Sequence, residues 1–279
     1  RRRPDAHRGM DKQLLKRSGQ LLAPSLFTLG NMACGFYALI SSVRGEFVSS
    51  ATAIIAGMLF DALDGRVARL VHGESEFGVE FDSMSDFLTF GVAPAHMMYA
   101  FILKDYGAWG YPIAFLYALC GGLRLARFNA MAHLGQGSKT HFTGLAIPAG
   151  AGFLASFVLL YQVIEEGRPA GTWKFLMDQI PALYGVAPVM VVIIALLMVS
   201  TIPYPAFKQP GVMRPKTLTR ILIALCVGLL LFYYPLMVLF FVFFFYALLG
   251  PVSWIARAIG RLVGWTPPHH NHDNYGEHL

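Results

Sequence analysis

The chain has 279 residues, of which 56% are hydrophobic and only 14% charged, and its mean hydropathy is +0.53. A soluble domain carries roughly 25% charged residues, so these proportions exclude an ordinary water-soluble enzyme and point to a polytopic membrane protein packed as one bundle. The net charge is +6, but the basic residues lie between apolar runs rather than beside aromatics on one unit, which argues against a nucleic-acid partner.

The first twenty residues are polar and basic, with Arg1, Arg2, Arg3, Arg8, Lys12, Lys16 and Arg17 leading into a long apolar run. That run is too long for a signal-peptide core and lacks a small-residue cleavage site, so it is read as a retained span. Residues 10–20 suit either a short helix lying on an anionic leaflet or an irregular segment.

A spanning helix needs about 20 predominantly apolar residues. Runs of that kind occupy approximately 21–43, 47–65, 82–103, 108–128, 144–164, 180–202, 218–234 and 236–256. The expected fold is therefore all-α, a transmembrane helical bundle of about eight spans. Only Tyr233, Tyr234 and Pro235 separate the last two, so one long kinked helix and seven spans is the competing count. With eight spans, all Lys and Arg fall on one side of the membrane except Arg44, Lys104, Arg168 and Lys174. The basic side faces the cytoplasm, so both termini are expected there, whereas seven spans would misplace Arg257 and Arg261.

The expected organisation is a cytoplasmic segment 1–20, a membrane domain 21–257, and a flexible cytoplasmic tail 258–279. No internal repeat is evident. In the tail, Pro267, Pro268 and four histidines between His269 and His278 read as a solvated segment, with metal binding the alternative. Cys34, Cys120 and Cys226 lie singly in apolar stretches without metal-ligand spacing and are read as packing residues.

Four acids break the apolar pattern. Asp61 and Asp64 close the second run, and Asp82 and Asp86 open the third. An ionisable residue within a span costs about 2.5 to 3.5 kcal/mol, so four cost roughly 10 kcal/mol before partners are counted. Spacings of three and four put each pair on one side of its helix, and a loop at about 70–78 makes the helices antiparallel neighbours. Four convergent carboxylates repel one another unless cations sit among them, and all-oxygen ligation suits two divalent ions such as Mg2+ or Mn2+. Gly65, Ala68 and Gly78 leave room for a ligand, and Arg69 supplies a forked cation suited to phosphate. The competing reading, salt bridges from Asp64 to Arg66 or Arg69, accounts for one or two acids but not four.

Written out, Asp61, Asp64, Gly65, Ala68, Arg69, Gly78, Asp82 and Asp86 match every position of D-x2-D-G-x2-A-R-x8-G-x3-D-x3-D. The chain thereby resembles the CDP-alcohol phosphatidyltransferases, membrane enzymes that move a phosphatidyl group from a CDP-linked lipid to an alcohol and release CMP. The runs at 75–95, 121–129, 142–152 and 197–208 are similar to the integral-membrane subgroup whose acceptor is serine, so the likeness covers roughly residues 20–210. It implies CDP-diacylglycerol and L-serine as substrates, and phosphatidylserine and CMP as products. It also implies Asp61, Asp64, Asp82 and Asp86 as ligands of two divalent ions, with Asp86 the general base. Asn31, Gly65, Ala68, Arg69, Ser75 and Gly78 would line the CDP group, and a homodimer is implied by the same likeness. A lone Asn in a span otherwise makes an interhelical hydrogen bond.

Serine brings a carboxylate that needs a cation. Arg124 and Arg127, three apart at the end of the fourth run, are the candidates for that carboxylate or a lipid phosphate, with Lys208 a further one. Positive-inside anchoring is their alternative role. Lipid tails are expected in an apolar groove between helices, and the aromatic run Phe240, Phe241, Phe243, Phe244, Phe245 and Tyr246 is expected to face lipid or pack in the bundle rather than form a ligand box. Two other functions compete. Glycerol phosphate, inositol phosphate or choline could replace serine, choline calling for an aromatic cage. A divalent-cation transporter would instead place its acids near the bilayer midplane.

Overall fold

The computed structural model describes residues 26–71, 76–133, 141–165, 180–205 and 235–262. These are almost entirely helical. Helix α1 (Leu26–Val43) and α2 (Phe47–Val71) are joined by a turn in which Gly45 takes φ +77. That left-handed conformation, open to glycine without a Cβ penalty, reverses the chain. The Gly45 amide donates to the Ser42 carbonyl at 3.2 Å, and the Ser50 hydroxyl donates to the Ala38 carbonyl at 2.8 Å, fixing the start of α2 against the end of α1.

Helix α3 (Glu76–Asp86) passes into a π-helical segment, Phe87–Val92, and then α4 (Ala93–Phe101). A 3-10 segment, Leu103–Trp109, with Gly107 at φ 58, ends this composite element, and the helix axis turns by 93° at Ile102. Helix α5 (Gly110–His133) comes next, then α6 (Ile147–Glu165), α7 (Ile180–Val199) and α8 (Pro235–Leu262). Helix α5 packs along α7, while α6 packs against both α2 and α8. Ala151, Leu154, Ala155 and Val158 of α6 are buried at the centre of the core.

Two short strands form an antiparallel ladder that pairs Phe142 with Tyr204. The strands are β1 (His141–Thr143) and β2 (Pro203–Pro205). Gly144, at φ +81, follows β1, and a Cβ there would lie 2.4 Å from the Met198 carbonyl oxygen, so the ladder and the end of α7 demand glycine. Tyr204 is fully buried and donates to the Ala247 carbonyl at 3.1 Å, tying the ladder to α8.

The expected runs other than 218–234 reappear among the described residues as helices with different limits. Helix α2 continues to Val71, and α3 begins at Glu76, ahead of the expected start at 82. Apolarity marks where a helix meets lipid, whereas its hydrogen bonds continue through good helix formers such as Ala68 and Arg69. For the same reason α8 runs to Leu262, so the start of the segment expected as a flexible tail, 258–279, is helical. The 82–103 run is interrupted by the π segment, and the ladder is a β element outside the all-α expectation. Three described helices are long and apolar enough to cross a membrane, Leu26–Val43, Phe47–Val67 and Pro235–Ala256, and the bent pair around Ile102 brings the number to four if it counts as one span. Helices Ile147–Gln162 and Tyr184–Val199 are apolar but shorter. Large apolar side chains such as Leu29, Phe36, Phe115, Ile193 and Phe245 face outward, as a lipid solvent requires. Residues 1–25 and 206–234, which hold the first segment, Lys208, the seventh expected run and Cys226, lie outside the described residues.

Candidate active site

The site is built where α1, α2 and α3 meet. Asp61 and Asp64 leave α2 one turn apart, and Asp82 and Asp86 leave α3 in the same manner. Carboxylate oxygens of Asp61, Asp82 and Asp86 lie within 4.8 Å of one another. Asp82 is in Coulombic reach of both Asp61 and Asp64. Asp64 is 6% exposed, and one of its oxygens, Oδ2, accepts the Thr28 hydroxyl. Thus three of the expected four acids converge directly, and the fourth is partly turned to α1.

Helix α1 also supplies Asn31, which is fully buried and donates through Nδ2 to Asp86 Oδ1 at 2.9 Å. In return α3 and the π segment bond to α1: the Ser85 hydroxyl donates to the Thr28 carbonyl at 3.1 Å, and the Thr89 hydroxyl to the Asn31 carbonyl at 2.9 Å. Close helix approach makes this possible. A Cβ on Gly35 would lie 2.3 Å from Thr89 Oγ1, and one on Gly57 would lie 2.9 Å from Asn31 Oδ1. Thr28, Ser85 and Thr89 are absent from the residues that sequence reasoning singles out. Their signal is faint but present, since Thr28 and Asn31 share a helix face at a spacing of three, and Ser85 and Thr89 at four.

Helix α5 closes one side. Asn129 donates to the Ser83 hydroxyl at 2.9 Å, holding α3 beside Asp82. Arg124 is in Coulombic reach of Asp86 and of Tyr246 on α8, and its Nε is buried without a hydrogen-bond partner among the described residues. Arg127 points elsewhere, donating to the Val199 and Ser200 carbonyls at 3.2 and 3.3 Å. Gly65 has open space where a Cβ would stand, and Gly78 is half-buried on the first turn of α3. Ala68 and Arg69 continue α2, but their side chains, like Ser75, lie outside the described residues.

An apolar cavity of about 1010 Å³ opens beside this polar cluster, between α2, α6 and α8. Met58, one turn before Asp61, and Tyr246, which interacts electrostatically with Arg124, are among its lining residues. Of the aromatic run on α8, Phe240 and Phe244 pack on Phe153, with ring centres 5.4 and 6.3 Å away. Phe241, Phe243, Phe245 and Tyr246 line the cavity, with Phe241 and Phe245 exposed.

A cation suits the acidic cluster. Oδ1 of Asp64 and Oδ1 of Asp82 are buried with no hydrogen-bond partner among the described residues, which is costly for an anion unless something positive meets them. The donors are all carboxylate oxygens, the set preferred by hard divalent ions.

The comparison with known proteins agrees with this chemistry. A family model described as CDP-alcohol phosphatidyltransferase matches residues 21–187. The chain belongs to the CDP-alcohol phosphatidyltransferase family. It is 33% identical over 237 residues to a CDP-diacylglycerol–serine O-phosphatidyltransferase of Helicobacter pylori strain J99, covering 84% of this chain and 91% of the relative. It is also 33% identical over 193 residues to the archaetidylserine synthase of Methanothermobacter thermautotrophicus, covering 67% of this chain and 71% of the relative. A CDP-diacylglycerol–serine O-phosphatidyltransferase of Mycobacterium bovis is 33% identical over 174 residues, with 61% and 58% covered. Of the four acids in the signature, the fold brings three, Asp61, Asp82 and Asp86, directly together.

Proposed function

We propose that the protein transfers the phosphatidyl group of CDP-diacylglycerol to L-serine, giving phosphatidylserine and CMP. The observation that carries this reading is the convergence of Asp61, Asp82 and Asp86 in a chain so extensively similar to a relative named for that reaction.

Asp61, Asp64, Asp82 and Asp86 would hold two divalent ions, Mg2+ or Mn2+. Bound there, such ions supply charge neutralisation for the diphosphate and for departing CMP. The diphosphate would lie along Gly65, Ala68, Ser75 and Gly78, with Arg69 as its forked cation. Asn31 belongs to the same wall, its amide nitrogen committed to Asp86. Asp86 would take the proton of the serine hydroxyl. As it does, the serine oxygen forms a bond to the lipid-side phosphorus, the bond from that phosphorus to the bridging oxygen breaks, and CMP leaves with the electron pair. No covalent enzyme intermediate is needed.

Serine has its hydroxyl and its carboxylate only a few bonds apart, so base and carboxylate anchor must be neighbours. The electrostatic interaction of Arg124 with Asp86 supports Arg124 in that role. Arg127 would shape the acceptor side by holding the end of α7. The cavity between α2, α6 and α8 suits an acyl chain, since it is apolar and begins a turn from Asp61.

The chain would form one membrane domain, 21–257, of eight spans with segments 1–20 and 258–279 in the cytoplasm. The distribution of Lys and Arg supports this orientation and favours the acids at the cytoplasmic face of the cytoplasmic membrane. A homodimer is the expected assembly. Purified protein given CDP-diacylglycerol, Mn2+ or Mg2+ and a panel of alcohols tests the reading. CMP release with serine supports it, release with another alcohol alone reassigns the acceptor, and no release with any alcohol rejects the reaction.

A further inference from the structure

We infer that Thr28 and Asn31 are positioning residues, each binding one oxygen of a site aspartate so that the other oxygen is presented to the ion and substrate. The inference rests on the proposed role of the acids and deepens it. Thr28 and Asn31 stand one turn apart on α1. Thr28 gives its hydroxyl hydrogen to Asp64 Oδ2, and Asn31 gives an amide hydrogen to Asp86 Oδ1. A carboxylate bonded through one oxygen in a fixed direction loses its rotational freedom about the terminal bond. Its second oxygen is then aimed before any ligand arrives. Asp64 shows the result, since its Oδ1 is buried with no partner among the described residues.

The surrounding packing keeps these donors in place. Ser85 and Thr89 clasp the carbonyls of the same two residues, Thr28 and Asn31, at 3.1 and 2.9 Å. Thr89 sits in the space left by Gly35, and Asn31 Oδ1 in the space left by Gly57. The π segment starts directly after Asp86, and such interruptions in helices are frequent at functional sites. Removing a group that orients a metal ligand lowers metal affinity or activity by about 10- to 100-fold. A nucleotide contact by Asn31, the role implied by the family likeness, predicts weaker CDP-lipid binding instead.

The test is Mn2+ binding to the purified full-length protein without substrate, read from the free-Mn2+ electron paramagnetic resonance signal, together with steady-state kinetics. Thr28→Val is expected to weaken Mn2+ binding by about 10- to 100-fold and Thr28→Ser to restore it. Thr28→Ala carries the same expectation should the valine variant not fold. Ser50→Ala loses a buried helix contact, to the Ala38 carbonyl, that touches neither the acids nor Thr28, so its Mn2+ affinity should stay within about threefold of wild type. Asn31→Leu should lower kcat by about 10- to 100-fold while KM for CDP-diacylglycerol changes by less than about threefold. Unchanged Mn2+ affinity in folded Thr28→Val, or an equal loss in Ser50→Ala, overturns the inference for Thr28. A raised KM with unchanged kcat in Asn31→Leu overturns it for Asn31 and makes that residue a nucleotide contact. Mn2+ binding is read without turnover. A wild-type protein that binds Mn2+ but releases no CMP rejects the functional reading and leaves the Thr28 test standing.

Discussion

Arg127 on α5 donates to the carbonyl of Val199, the last residue of α7, at 3.2 Å, and its second terminal nitrogen reaches Ser200 at 3.3 Å. Carbonyls at a helix C-terminus lack intrahelical partners and carry partial negative charge, so a guanidinium there both caps and neutralises. Arg127→Ala should therefore lower stability by about 1 to 2 kcal/mol. Thermal unfolding in detergent would show it as a reduced midpoint, with the serine KM within about twofold of wild type. A large rise in serine KM with no change in midpoint would return Arg127 to the acceptor site.

Arg124 has the opposite expectation. Its guanidinium shares the neighbourhood of Asp86 and has a buried Nε without a partner among the described residues. A hydrogen bond to a charged group contributes about 1.5 to 3 kcal/mol, so Arg124→Ala should raise the serine KM by about 10- to 100-fold. Initial rates against serine concentration, with CDP-diacylglycerol saturating, measure this.

Asp86→Asn removes the proton acceptor while keeping the shape and the Asn31 contact surface. Turnover should fall by at least about 100-fold, the scale of general-base catalysis. Binding of CDP-diacylglycerol, followed by protection against thermal unfolding, should persist. Chelation by EDTA should likewise abolish turnover in wild type, and added Mn2+ or Mg2+ should restore it.

Gly35→Ala introduces a methyl group where Thr89 Oγ1 stands 2.3 Å away. Overpacking of this kind costs about 1 to 3 kcal/mol. The variant should unfold at lower temperature and, because Thr89 holds Asn31, lose activity at temperatures where it remains folded. Gly65→Ala, with open space at its Cβ, should leave the unfolding midpoint nearly unchanged.

The acids were legible because a charge inside an apolar run has no cheap structural explanation, and their helical spacing already placed them on facing sides. The helices were legible for a related reason, since spans are written in apolarity. Their ends were not, because α2 and α3 continue through residues that solvent tolerates. The π segment has no apolar signature of its own, and its Phe90 carbonyl is met by a tertiary partner, the buried Tyr117 hydroxyl, which donates to it at 3.2 Å. Thr28, Ser85 and Thr89 were equally hidden. Hydroxyl side chains in helices commonly bond their own backbone, and only the packing of α1 on α3 shows that these reach across. Arg124 and Arg127 looked equivalent at a spacing of three, and the end of α7 distinguishes them.

The central claim is tested most directly by product stoichiometry. Purified wild-type protein would be incubated with CDP-diacylglycerol, Mn2+ and L-serine, with phosphatidylserine counted by mass spectrometry and CMP by chromatography in the same sample. The proposed reaction yields one phosphatidylserine for each CMP, and neither product from Asp86→Asn. CMP released without phosphatidylserine, or undiminished turnover in Asp86→Asn, would contradict it.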